Sequence, residues 1–178
     1  MNLNNKDISL ISILTVLLVV QKEILAFLPN VQLVIFLLLV YSKKLGTKKT
    51  VIIIVLYVLI DALLTSSISL SYTPFIMIGL LFVPLLTNTI FKKIENVFKL
   101  GLMSILFSFI YSWVFALAFA LIFNINVVDY LMADIYFEAA LTLSSFISVA
   151  FLYKPVGKVF DKYLNKYEVK KYEQRGVY

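Results

Sequence analysis

Asp134, Glu138 and Thr142 recur at every fourth position of an otherwise apolar stretch, and so do Tyr57, Asp61 and Thr65. On a helix, residues four apart lie on one face, so each trio presents its polar groups together. Lys22 and Glu23 place two further charges near the end of the first apolar run. Asn30 and Gln32 add amides just beyond it, and Tyr72, Tyr111 and Trp113 can supply aromatic walls. Carboxylates, an ammonium group and amides among aromatic rings suit a pocket for a small polar solute. Neighbouring carboxylates such as Asp134 and Glu138 can also do acid–base work or hold a divalent cation. Catalysis gains no further support from the rest of the chain, which contains no His and no Cys. Disulfides, thiolate chemistry, haem ligation and the usual zinc sites are thereby excluded. There is no Gly-rich phosphate loop and no nucleophile with a base, so no catalytic residue, metal site or cofactor is expected. Any ATP-driven step needs another polypeptide.

The elements that must position these groups are membrane helices. The chain is 62% hydrophobic and 15% charged, with a mean hydropathy of +0.98. A soluble domain of 178 residues with that composition would lack the polar side chains to cover its surface. Fifteen of the sixteen basic residues fall in four patches: Lys6; Lys43, Lys44, Lys48 and Lys49; Lys92, Lys93 and Lys99; and a tail from Lys154 to Arg175. The turns between successive patches, near residues 27–32, 67–72 and 124–130, contain no Lys or Arg. Cytosolic loops retain positive charge, so the patches are expected inside, with both termini cytosolic and an even number of spans. The inner half then carries net charge +10 and the outer half −4, which together give the chain's +6. The basic residues flank apolar helices and match anionic lipid headgroups, so no nucleic-acid partner is expected. The first helix lacks a small-residue cleavage site and reads as retained, not as a removed signal peptide.

An all-α polytopic bundle with six transmembrane helices follows. Its spans are expected at roughly 8–28, 30–45, 48–67, 72–91, 98–124 and 129–153, given about 20 residues per crossing. The second is short and follows Leu28-Pro29-Asn30, where proline disfavours helix in the residue before it. The first connection is therefore expected to dip into the membrane on the outer side. Residues 154–178 read as a basic amphipathic tail, lying on the inner leaflet or against a cytosolic partner. Span 5 carries Ser104, Ser108, Ser112, Ala116 and Ala120 at strict four-residue spacing, a small-residue face that either packs inside the bundle or docks another subunit.

Ionisable groups within spans are costly and mark candidate sites. Lys22, Glu23, Asp61, Asp134 and Glu138 cluster at one depth and predict an outward-facing pocket with Asn30, Gln32, Thr65, Tyr72, Tyr111 and Trp113. Each also has a simpler role. Lys22 and Glu23 can reach the headgroups, Lys22 can pair with Asp61, and Asp129 is expected in solvent. No chain of charges continues into the inner half, so the protein is expected to capture a solute and not to pass it through alone.

With these features the chain resembles a substrate-binding S component of an energy-coupling-factor (ECF) vitamin transporter along essentially its whole length. The resemblance is carried by six helices, a Lys-rich inner surface, an outer polar pocket, and Leu28-Pro29-Asn30-Val31-Gln32-Leu33 followed by Tyr41-Ser42-Lys43-Lys44-Leu45-Gly46. It implies a vitamin or related micronutrient bound beneath the first connection. It also implies docking to a membrane T component and two cytosolic ATPases, and toppling of the subunit to release its cargo inside. The family often docks its T component through an AxxxA-type face on helix 1; here that helix offers Ser9, Ser12 and Thr15 in imperfect spacing. A second resemblance is to rod-shape-determining protein MreD, a membrane scaffold of cell-wall elongation, which shares a Pro-containing first connection and an acidic residue in helix 3, here Asp61. Lys22, Glu23, Asp134 and Glu138 favour a binding pocket over a scaffold. The net charge of −4 points towards a cationic, amine-bearing or neutral polar heterocycle, while Lys22 offers a partner to a substrate carboxylate.

Overall fold

The computed structural model describes residues 4–64 and 72–174, and these fold into six helices. They are α1 (Asn5–Ile24), α2 (Val34–Leu45), α3 (Thr47–Leu64), α4 (Thr73–Asn88), α5 (Val97–Phe123) and α6 (Val127–Gln174). Local chemistry sets several of the ends. The Asn4 side chain accepts the Asp7 N–H at 2.8 Å, and Asn96 accepts from Phe98 and Lys99, so α1 and α5 each begin on an asparagine cap. Asn124, left-handed at φ 54°, closes α5 by donating its N–H to the Ala120 carbonyl. One residue, Gly46, separates α2 from α3, and its φ of +80° is a conformation that a side chain would strain.

The short α2 is the centre of the bundle. Every residue from Val34 to Ser42 is buried, and α2 packs against each of the other five helices. A helix that is apolar all round must be enclosed in this way. The backbone before it differs from the expected helix start at residue 30: residues 25–33 are turns, and Asn30 sits in the left-handed region at φ 55°. Pro29 and Asn30 break the helix there, and Gln21 of α1 reaches across to accept the Leu33 N–H at 2.9 Å. Gln21 thus ties the end of α1 to the start of α2.

Ion pairs fix how the other helices align. Lys49 meets Asp7 at 2.6 Å and Lys22 meets Asp61 at 2.5 Å, so α1 and α3 run parallel and are pinned at both ends. At the end where they start, Lys43 donates to the Phe91 and Lys92 carbonyls beyond α4, Asn88 donates to the Ser42 carbonyl, and Lys44 meets Asp161 of α6. The lysine-rich loops and residues 157–161 therefore share one end of the bundle. The Lys22–Asp61 pair marks the other.

The amphipathic stretch expected from residue 154 is helical but is no separate element, because α6 runs unbroken through Pro155. Proline removes one N–H from the helix. Packing offsets that loss: Phe160 is buried with its ring centroid 5.6 Å from Tyr41, Gly157 faces the Lys44 side chain, and Asp161 holds the Lys44 ammonium. The first turns of the basic tail therefore dock on α2. Nor is the small-residue stripe free to receive another subunit. Ser104, Ser108, Ser112, Ala116 and Ala120 are all buried, and α5 and α6 form the most extensive helix pair. Ser108 Oγ lies 3.1 Å from Ser145 Oγ of α6 and donates to the Ser104 carbonyl. On α1, Ser9 and Ser12 are exposed but Thr15 is buried, its hydroxyl bonded to the Ile11 carbonyl. Three-residue steps fall about 60° short of a full turn, which carries Thr15 off the face of Ser9.

Large apolar side chains also cover the outside. Phe27, Leu121 and Phe151 are each at least three-quarters exposed, among many others. Among the described residues two helices are long and apolar enough to cross a membrane, α5 and α6 over Val127–Leu164.

The close approach of α4 to α5 offers a test of this packing. A Cβ on Gly79 would lie 3.2 Å from the Tyr111 ring and 3.3 Å from its Cα, so a larger residue must push the helices apart. Gly79→Leu is expected to cost about 3 kcal/mol or more, read as a lower unfolding temperature of the detergent-purified protein.

Candidate functional site

At the Lys22 end, where α2 stops short of its longer neighbours, the helices enclose a cavity of about 750 Å³. That volume suits a small organic molecule. One wall is the face of α5 carrying Tyr111, Ser112, Phe115, Phe119 and Phe123; a second is the face of α6 carrying Tyr130, Asp134, Phe137 and Leu141. Lys22 of α1, Asp61 of α3, Asn30 and Gln32 of the first connection, and Tyr72 and Ile76 at the start of α4 complete the lining. Gly79 sets the position of Tyr111, since its missing side chain lets α4 approach the Tyr111 backbone.

The aromatic residues form a connected ladder. Phe119 lies 4.3 Å from Phe123 and 5.1 Å from Tyr130 between ring centroids, while Phe115 links Phe119, at 6.0 Å, to Tyr72, at 6.3 Å. The polar groups fall into two sets. Lys22 and Asp61 neutralise each other at 2.5 Å. Asp134 is only partly exposed and accepts a long hydrogen bond, 3.5 Å, from Ser112, with no base within ion-pair distance among the described residues.

Seven of the eleven residues expected at the site line this cavity: Lys22, Asn30, Gln32, Asp61, Tyr72, Tyr111 and Asp134. Thr65 lies outside the described residues. Glu23, Trp113 and Glu138 are placed elsewhere, and helix geometry explains each. Successive residues sit about 100° apart, so turning Lys22 towards Asp61 turns Glu23 outwards, where it is exposed, and burying Ser112 leaves Trp113 outside against Phe109. Four-residue steps overshoot a full turn by about 40°. Asp134 therefore faces the cavity, while Glu138 and Thr142 rotate into a separate apolar groove on the flank of α5 and α6, beside Phe98, Phe109 and Phe146. There Glu138 Oε1 and Thr142 Oγ1 are buried without a hydrogen-bond partner among the described residues.

The residues that face the cavity on α6 follow steps of four, three and four, which is the true helical repeat. Reasoning from the sequence overlooked the aromatic face Phe115, Phe119 and Phe123, although its four-residue spacing is visible. Ser112 was read only as part of the small stripe; it is also a cavity residue.

The Lys22–Asp61 pair is structural as well as part of the lining. Both side chains are at most a third exposed, so Lys22→Met takes the opposite charge away from a partly buried carboxylate and is expected to cost about 1–2 kcal/mol. The double variant Lys22→Met with Asp61→Asn is expected to recover most of that loss in thermal unfolding. A double variant as unstable as the sum of the two singles would show the groups to be uncoupled. No protein-family model matches the chain, and no significant match was found to a curated protein or a solved structure.

Proposed function

We propose that the chain is the solute-capturing membrane subunit of an energy-coupling-factor type transporter, an S component that binds a micronutrient on the outer side of the bacterial plasma membrane. The observation that carries this reading is the cavity of about 750 Å³, both aromatic and charged, at the lysine-poor end of a bundle with an apolar exterior. The exposed leucines and phenylalanines suit lipid, and the lysines at the opposite end suit a cytosolic face. On this reading all six helices lie in the membrane with both termini inside, and the short α2 is sheltered by its neighbours.

The lining runs from the Lys22 end to the middle of α5 and α6, at Tyr111 and Leu141, and the apolar core around α2 lies beyond it. No charged side chain among the described residues leads from the cavity into that core. Release inside therefore falls to partners, a membrane T component and two cytosolic ATPases. A scaffold of the MreD kind needs no such cavity, and the pocket favours capture over that alternative.

Topology is open to a clean test because the chain has no native cysteine. A cysteine placed by Asn126→Cys is expected to react with a membrane-impermeant maleimide on intact cells, and one placed by Lys93→Cys only after permeabilisation; the reverse pattern would overturn the orientation. For function, the protein is purified from its native membrane, co-purifying small molecules are identified by mass spectrometry, and bound proteins are identified in parallel. A bound micronutrient together with two ATPases is the expected result. Cell-wall synthesis proteins with no bound molecule would favour the scaffold.

A further inference from the structure

The cavity's charge distribution says more about its ligand than the net charge of that end of the molecule. Five acids lie in the half of the chain assigned to the outer side, yet only Asp61 and Asp134 line the cavity. Asp61 is already neutralised by Lys22 at 2.5 Å. Lys22 keeps donors beyond its bond to Asp61, but its charge is already balanced by that carboxylate, so an anionic ligand would meet a neutral pair. Among the described residues the cavity therefore offers an anion no uncompensated positive charge. Asp134 is different: it has only the 3.5 Å bond from Ser112 and no base beside it among the described residues. A carboxylate in that setting is stabilised by a positive charge brought in by the ligand.

The surrounding walls select the shape of that cation. Tyr130, one turn before Asp134 on α6, is in ring contact with Phe119, and Phe119 with Phe123. Ring faces attract a cation through their quadrupole and stack on a flat ligand. A small, strongly hydrated cation such as an alkali ion would gain little from such walls, whereas an organic cation with a ring would use both the carboxylate and the ladder.

We propose that the cavity binds a monocationic aromatic solute, its positive charge against Asp134 and its ring against Phe119 and Tyr130. The assignment rests on the capture-site reading and narrows it to one class of ligand, with Asn30 and Gln32 left to bond polar substituents.

The test uses the full-length protein in nanodiscs and three probes of similar size: benzyltrimethylammonium, benzyl alcohol and benzoate. Binding is measured by calorimetry and by the shift in unfolding temperature. Benzyltrimethylammonium is expected to bind at least about tenfold more tightly than either of the others, a difference of about 1.4 kcal/mol. Asp134→Asn is expected to abolish that preference, and Phe119→Leu to weaken the cation while the variant remains folded by its unfolding transition. Should Asp134→Asn not fold, Asp134→Glu serves, with the preference for the cation expected to survive. Equal or tighter binding of benzoate, or an unchanged preference in Asp134→Asn, overturns the assignment. A neutral or anionic molecule that co-purifies and protects the cavity would sink the cation while leaving the capture-site reading intact. If no probe binds and no molecule co-purifies, both fall.

Discussion

The burial of α2 on every side is the constraint from which the rest of the structure follows. Twelve residues make a helix of about 18 Å, less than half the length of the 27-residue α5. A short helix enclosed by longer ones leaves room at one end, and the cavity occupies the space beyond its first turn. The turns at 25–33 carry Asn30 and Gln32 into that space, and Gln21 fixes their junction with α2. At the other end the single residue Gly46 turns the chain straight into α3. The site is thus a product of mismatched helix lengths as much as of the side chains that line it.

Charged groups then hold the longer helices around this core. Asp7 with Lys49 and Lys22 with Asp61 set α1 against α3, while Lys43 and Lys44 fasten the end of α2 to the turn after α4 and to α6. Several lysines that mark one side in the charge pattern therefore also bear on the packing. Lys48, Lys92, Lys93, Lys99, Lys154, Lys158 and Lys162 stay exposed, and these are the residues available to a charged surface or partner.

How much of this was legible depended on whether a feature was local or shared between helices. The run of apolar residues put the bounds of α5 within a residue of where the Asn96 and Asn124 caps set them. The start of α2 was harder to read, since Pro29 and Asn30 announce a break but Gln21, twelve residues away from its partner, determines where the helix resumes. The continuity of α6 was less legible for a similar reason: Pro155 argues locally for an interruption, and contacts with Tyr41 and Lys44 hold the helix through it. At the site, the charged residues of α1, α3 and α6 were identified by their rarity among apolar neighbours. Their grouping was less accurate, because a strict four-residue rule drifts around the helix and swept Glu138 in with Asp134. The aromatic ladder was hidden by its surroundings, phenylalanine being common throughout such a chain.

The continuity of α6 gives the molecule a lever arm. Asp134 in the cavity and Asp161 against Lys44 stand on one helix, separated by about 40 Å along its axis. Were α6 to tilt about its middle, Asp134 and residues 157–161 would move together in opposite directions, unless the helix yielded at Pro155. One unbroken backbone thus joins a cavity at one end of the bundle to a lysine contact at the other.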